Sequence, residues 1–137
     1  MVVAYLARPG RYRELFTAGI KPHTFLALHI FGHNKPQWFS GLERPIEAYL
    51  TELSPLVLKE IPGWTQLDDA IKNSDDTEPD RPYYSGKRTA HARSYKMGWK
   101  TFQQAVLKDT GGLLVLSPAD AKRFLATFDN LFPEIIE

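Results

Sequence analysis

Lys87, His91 and Tyr95 stand four residues apart in the stretch GKRTAHARSYKMGWKTFQQ, Gly86 to Gln104. On a helix, positions i, i+4 and i+8 share one broad face, and at 1.5 Å per residue the three span about 12 Å. A cation at one end and an aromatic ring at the other suit the length from a phosphate to a sugar. Lysine serves such an anion as a point charge, and a place near a helix N-terminus adds free N–H groups and a favourable dipole. The same stretch carries Arg88, Arg93, Lys96, Lys100 and Trp99, which could hold phosphates and stack on a base. A solvated basic face with packed aromatic rings has the same pattern, so composition alone leaves both readings open.

The charge is segregated. Asp68 to Asp80 holds six acids and one lysine, whereas Arg81 to Lys108 holds seven Lys/Arg and no acid, although the net charge is only +1. That sum argues against a generic polyanion binder, but segregation can focus a field locally. The 137 residues make a single domain, with 43% apolar and 24% charged residues, as in a soluble globular protein. Without cysteine there is neither a disulfide nor Cys-ligated zinc. The opening MVVAYLARPGRYRELF shows no signal-peptide pattern, and no stretch approaches the roughly 20 apolar residues of a membrane span. His29 and His33 are four apart, but Gly32 interrupts them and no third ligand stands at a telling distance, so no metal site is expected. Nucleophile-elbow, Walker and dinucleotide-binding signatures are missing.

The elements that must position these residues read as mainly α, an irregular helical bundle with one long basic helix and little or no sheet. An apolar opening breaks at Pro9-Gly10; a short helix then buries Tyr12, Leu15 and Phe16 and ends at Gly19. Pro22 opens a second helix, closed by Gly32. SGLERPIEAYLTEL reads as helical from Ser40, and Thr65-x-x-Asp68 as a capping pattern for a brief helix. Lys72 to Pro82, acidic and nearly free of apolar residues, is predicted to be a mobile loop. Ser85 is the expected N-cap of one helix running from about Gly86 to Lys108. LLVLS could be extended, and Ser117-Pro118-Ala-Asp120 caps a last helix whose core face is Phe124, Leu125, Phe128 and Leu131.

Three ordered segments resemble family A DNA polymerases, the bacterial polymerase I type. KRTAHARSYKMG is similar to motif B of the fingers helix, K-x7-Y-G: Lys87 and Tyr95 match, His91 takes the intermediate aromatic position, and Met97 follows in register. VVAYLARPGRYRELFTAGIKPHTFLALHIFG resembles the stretch after motif A, with Ala4, Gly19, His23 and Ile30-Phe31-Gly32 in register. FLATFDNLFPEI resembles the segment after motif B. Together they cover about two-thirds of the chain. The chain departs from the pattern where Tyr83 replaces an arginine and Lys96 a glycine, and residues 33–85 form a longer interval, read as an insertion containing the acidic loop at 72–82.

The resemblance implies a fingers-subdomain fragment of a divergent, phage-like DNA-directed DNA polymerase, acting in the cytoplasm of a bacterial or phage-infected cell. Lys87 would contact the phosphates of the incoming dNTP and act as the acid toward pyrophosphate. His23 would also meet the phosphates, His91 the sugar and base, and Tyr95 the templating base. Partners would be primer–template DNA, dNTP, and the palm and thumb of the parent. Mg²⁺ would be held by palm carboxylates expected before Met1 and beyond Glu137, so the piece alone should be inactive. Alternatives drawn from the residues are a non-enzymatic helical nucleic-acid-binding module and a helical protein-interaction module.

Overall fold

In the computed structural model, which describes residues 10–136, the chain is a bundle of short helices, and no strand occurs among the described residues. In order these are α1 (Arg11–Ala18), α2 (Pro22–Phe31), two 3₁₀ turns (Gly32–Asn34 and Pro36–Phe39), α3 (Ile46–Leu50), α4 (Pro55–Glu60), α5 (Trp64–Lys72), a 3₁₀ turn (Ser74–Asp76), α6 (Pro82–Ser94), α7 (Trp99–Asp109), α8 (Pro118–Leu131) and α9 (Pro133–Ile136). The apolar opening and Ala4 lie outside the described residues.

The bundle is built around α2. Thr24 to Leu28, Ile30 and Phe31 are all buried, so this helix is covered on nearly every side, as an apolar helix requires. Its most extensive partner is α6. The two backbones meet at Gly86, where a Cβ would lie 2.6 Å from the His23 carbonyl oxygen and 3.2 Å from the Ala27 nitrogen. Phe25 meets Phe132, just past α8, with ring centroids 5.9 Å apart, and Phe132 in turn meets Tyr12 of α1 at 4.9 Å and Phe128 of α8 at 5.0 Å. α8 begins as its residues dictate: Ser117 Oγ accepts from the Asp120 N–H at 3.0 Å, and Pro118 occupies the first position.

Other starts and stops differ from expectation. The predicted single basic helix is two helices, α6 and α7, separated at Tyr95–Gly98. Lys96 adopts φ 57°, and the turn is closed by Met97 N–H to Ala92 O (2.9 Å) and Lys96 N–H to Arg93 O (3.1 Å). This is the helix-ending motif normally built on glycine, which no periodicity count anticipates for a lysine. At the other end, Ser85 is not the cap: α6 starts at Pro82, and Ser85 is buried inside it with Oγ donating to the Asp80 carbonyl at 3.1 Å. Thr65 likewise sits within the first turn of α5, which is entered from Gly63. The helix expected from Ser40 shrinks to Ile46–Leu50, and LLVLS is irregular.

The acidic segment is anchored, not a free loop. Lys35, only 9% exposed, donates to Glu78 at 2.7 Å and pairs with Asp80 at 3.0 Å; Gln37 also donates to Glu78 at 3.0 Å. Asp68 pairs with Lys72. The Asp75 carboxylate accepts the Tyr83 N–H on one oxygen and the Tyr84 N–H on the other, both at 3.0 Å, and so caps α6 from outside the helix. The acids of this segment therefore neutralise Lys35 and a helix end inside the fold.

Two measurements test this packing. Gly86→Ala forces α6 off the α2 backbone and is expected to lower unfolding stability by about 1–3 kcal/mol in a denaturant titration. His29 lies against Phe25 with ring centroids 4.6 Å apart, its Nε2 buried, and burial, then the charges of Arg11 and His33, lower its pKa to about 4. The folded state thus keeps it neutral, whereas the unfolded chain protonates it below about pH 6.5. Its stabilisation is whole above that pH and falls away toward pH 4, by about 3 kcal/mol in total. His29→Leu is expected to flatten that limb of the stability–pH curve.

Candidate functional site: the exposed face of the basic helix

α6 presents Lys87, His91 and Tyr95 to solvent on one face, all three exposed, with the His91 and Tyr95 rings 4.8 Å apart. The spacing read from the sequence therefore survives, because the helix breaks only after Ser94. His23, in the first turn of α2, belongs to the same neighbourhood. Its pKa is lowered by burial first, then by the charges of Lys87 and Lys21. Its Nδ1 is buried without a hydrogen-bond partner among the described residues, and its ring meets Tyr83 edge-on at 5.8 Å. The cause of this convergence is Gly86: the close approach of α6 to α2 brings the residue after it, Lys87, beside a residue 64 positions earlier.

The N-terminal dipole does not serve Lys87 in the way the sequence implied. The helix begins five residues before it, and its first amides are occupied by Asp75. Lys87 is therefore a mid-helix cation, without free N-terminal amides beside it.

The remaining basic residues divide into two groups. Arg88 pairs with Asp109 of α7 at 3.2 Å. Arg93 holds Asp129 of α8 through Nε and Nη2, while Nη1 donates to the Met97 carbonyl at 2.9 Å. Both arginines join helices to one another. Lys96 and Lys100 are exposed, and Trp99 is half-buried beside the core, with Lys100 Nζ 5.5 Å from the ring centroid and Lys122 Nζ of α8 at 4.8 Å. Arg81 adopts φ 46° just before α6, and its guanidinium lies over the Tyr84 ring at 5.1 Å.

Sequence reasoning missed Lys122, Asp129 and Asp75. Asp129 and Lys122 sit on another helix, 36 residues from Arg93 and 23 from Trp99, and no local spacing relates them. Asp75 carried a visible signal, an acid shortly before Pro82 at a helix start, but a capping search confined to Ser85 overlooks it.

Among the described residues no group of three or more His, Cys, Asp or Glu is placed to hold a metal ion, and no helix is long and apolar enough to cross a membrane. No protein-family model matches the chain, and no curated protein or solved structure is significantly similar to it.

Lys96 gives a direct check on the turn that ends the site. A left-handed lysine costs about 1 kcal/mol relative to glycine, so Lys96→Gly is expected to raise stability by about 0.5–1 kcal/mol while circular dichroism stays unchanged.

Proposed function

We propose that this chain supplies the nucleotide-binding face of a DNA-directed DNA polymerase of the family A type, as part of a longer polypeptide. The observation that carries this reading is the backbone approach of Gly86 to His23, which brings Lys87, the next residue, close enough for its charge to act on the His23 imidazole; the resemblance assigns both residues to the same phosphates. Sequence register alone implies no such proximity.

On this reading Lys87 places its ammonium on the β- and γ-phosphates, offsets the charge that develops there, and donates a proton to the leaving pyrophosphate. His23, neutral at pH 7, offers a ring N–H to a phosphate oxygen; a bound triphosphate favours its protonated form and raises its pKa. His91 faces the sugar and base, and Tyr95, at the end of α6, lies against the templating base. The Mg²⁺ ions that neutralise the phosphates and activate the attacking hydroxyl would be held by carboxylates of the parent that this chain does not contribute. The chain on its own would bind dNTP or primer–template weakly, in a salt-sensitive way, and would not extend a primer.

A second reading, a non-enzymatic helical nucleic-acid-binding module, is favoured by the exposed cations Lys87, Lys96 and Lys100, which need no palm to engage phosphate. A third reading is a helical protein-interaction module whose basic helix docks on an acidic partner or on its own acidic segment, residues 68–80. Asp75 on the first amides of α6 speaks for it, whereas among the described residues the segment's ion pairs go to Lys35 and Lys72 and not to the lysines of α6 and α7.

Primer extension by the longer polypeptide, with Mg²⁺ and its palm sequences, tests the first reading. Lys87→Ala is expected to slow extension by about 10²- to 10³-fold, the scale of losing one charge-stabilising group. Extension undiminished by that change overturns the role given to Lys87. Extension equally absent from the unaltered polypeptide favours the module.

A further inference from the structure

Between α7 and α8, beside Trp99, lies a cavity of about 260 Å³ lined by Arg93, Gly98, Trp99, Lys122, Leu125 and Asp129, among others. That is room for several water molecules or for one flat heterocycle. We propose that it is a single-base subsite for unpaired single-stranded DNA: one base stacks on the Trp99 indole in place of the Lys122 ammonium, and the flanking phosphates draw Lys122 and Lys100 off the ring onto themselves. This rests on the reading of the chain as a nucleic-acid binder, but needs neither a palm nor a nucleotide.

Four features of the site agree. The ring has two ammonium groups within 5.5 Å of its centroid, and among the described residues neither is in an ion pair. Lys35, Lys72, Arg88, Arg93 and Arg123, in contrast, are all paired with acids. The one carboxylate on the wall, Asp129, is neutralised through two bonds from Arg93, so it does not repel a phosphate. Leu125, largely buried, forms an apolar floor to the cavity. Gly98 opens the wall: a Cβ built there meets no atom within 4 Å, and its φ of −77° is one that any residue adopts. Base–aromatic stacking beside cations is how sequence-tolerant single-strand binders hold each nucleotide.

The indole also provides its own probe. The chain has three tryptophans, and Trp38 and Trp64 are buried at 5% and 6% exposure, so Trp99 is the one an oligonucleotide can reach. Titrating the 137-residue chain with a short oligothymidylate at low salt is expected to quench tryptophan emission. In parallel, anisotropy of a labelled oligothymidylate gives affinities. Trp99→Ala is expected to weaken binding by about 5- to 100-fold, and an abasic oligomer of equal length should bind the unaltered chain as weakly. Lys122→Ala should lower the salt slope by about 0.7. Gly98→Leu fills the cavity while leaving Trp99 and both lysines in place, and is expected to weaken the thymidylate but not the abasic oligomer. It keeps the test decisive if Trp99→Ala fails to fold.

Equal affinity for base-bearing and abasic oligomers, or binding unaffected by Gly98→Leu, overturns the subsite. The two proposals fail separately. Lys87-dependent extension together with indifference to Gly98→Leu leaves the polymerase reading standing without the subsite. Base-dependent binding in a protein whose longer form extends no primer leaves the subsite standing on the non-enzymatic reading.

Discussion

The contact between Gly86 and the His23 carbonyl is the constraint on which the rest of this molecule depends. An apolar α2 must be covered on almost every side, and α6 is its largest cover. Side chains at the crossing would hold the two axes apart; a glycine on one helix lets backbone meet backbone. That contact sets the height of α6 against the bundle, and with it which residues of a strongly basic segment face inward. Ala90 and Ala92 are buried, while Lys87 and His91 are left outside, with half-buried His23 near Lys87.

Electrostatics then follows from geometry more than from composition. The acidic and basic runs in the sequence suggest two opposed fields, but most of the acids are spent locally. Glu78 and Asp80 hold a nearly buried lysine, Asp68 holds its own neighbour on α5, and Asp75 terminates α6. Lys35 binds its partners strongly enough that its pKa is raised despite burial, and that of Glu78 is lowered by the same hydrogen bonds. Two of the basic side chains are spent likewise, Arg88 on Asp109 and Arg93 on Asp129. Among the described residues outside any ion pair are Lys87, near His23, and Lys100, which meets the Trp99 ring together with Lys122 of α8.

Much of the fold was legible where its cause is local. Ser117, Pro118 and Asp120 announce α8 because an N-cap, a pre-set φ and a first-turn acid all act within four residues. Gly19, at φ 72°, ends α1 for the same kind of reason. The Lys87–His91–Tyr95 face was legible because helical periodicity is also local. What escaped was either long-range or a violation of preference. Asp75 caps a helix that starts seven residues later, and Arg93 finds Asp129 through tertiary packing. Lys96 holds a conformation that its residue type disfavours, so a basic, glycine-poor stretch read naturally as one uninterrupted helix.

The Arg93 guanidinium has a mechanical consequence. One side chain ties the last turn of α6 to the body of α8 and also to the carbonyl that leads into α7. Arg88 adds a second tie from α6 to α7. The exposed face of α6 is therefore not a free rod hinged at the turn that follows it. It is one arm of a braced three-helix unit, and moving it alone would mean breaking the Arg93 and Arg88 ties to α8 and α7.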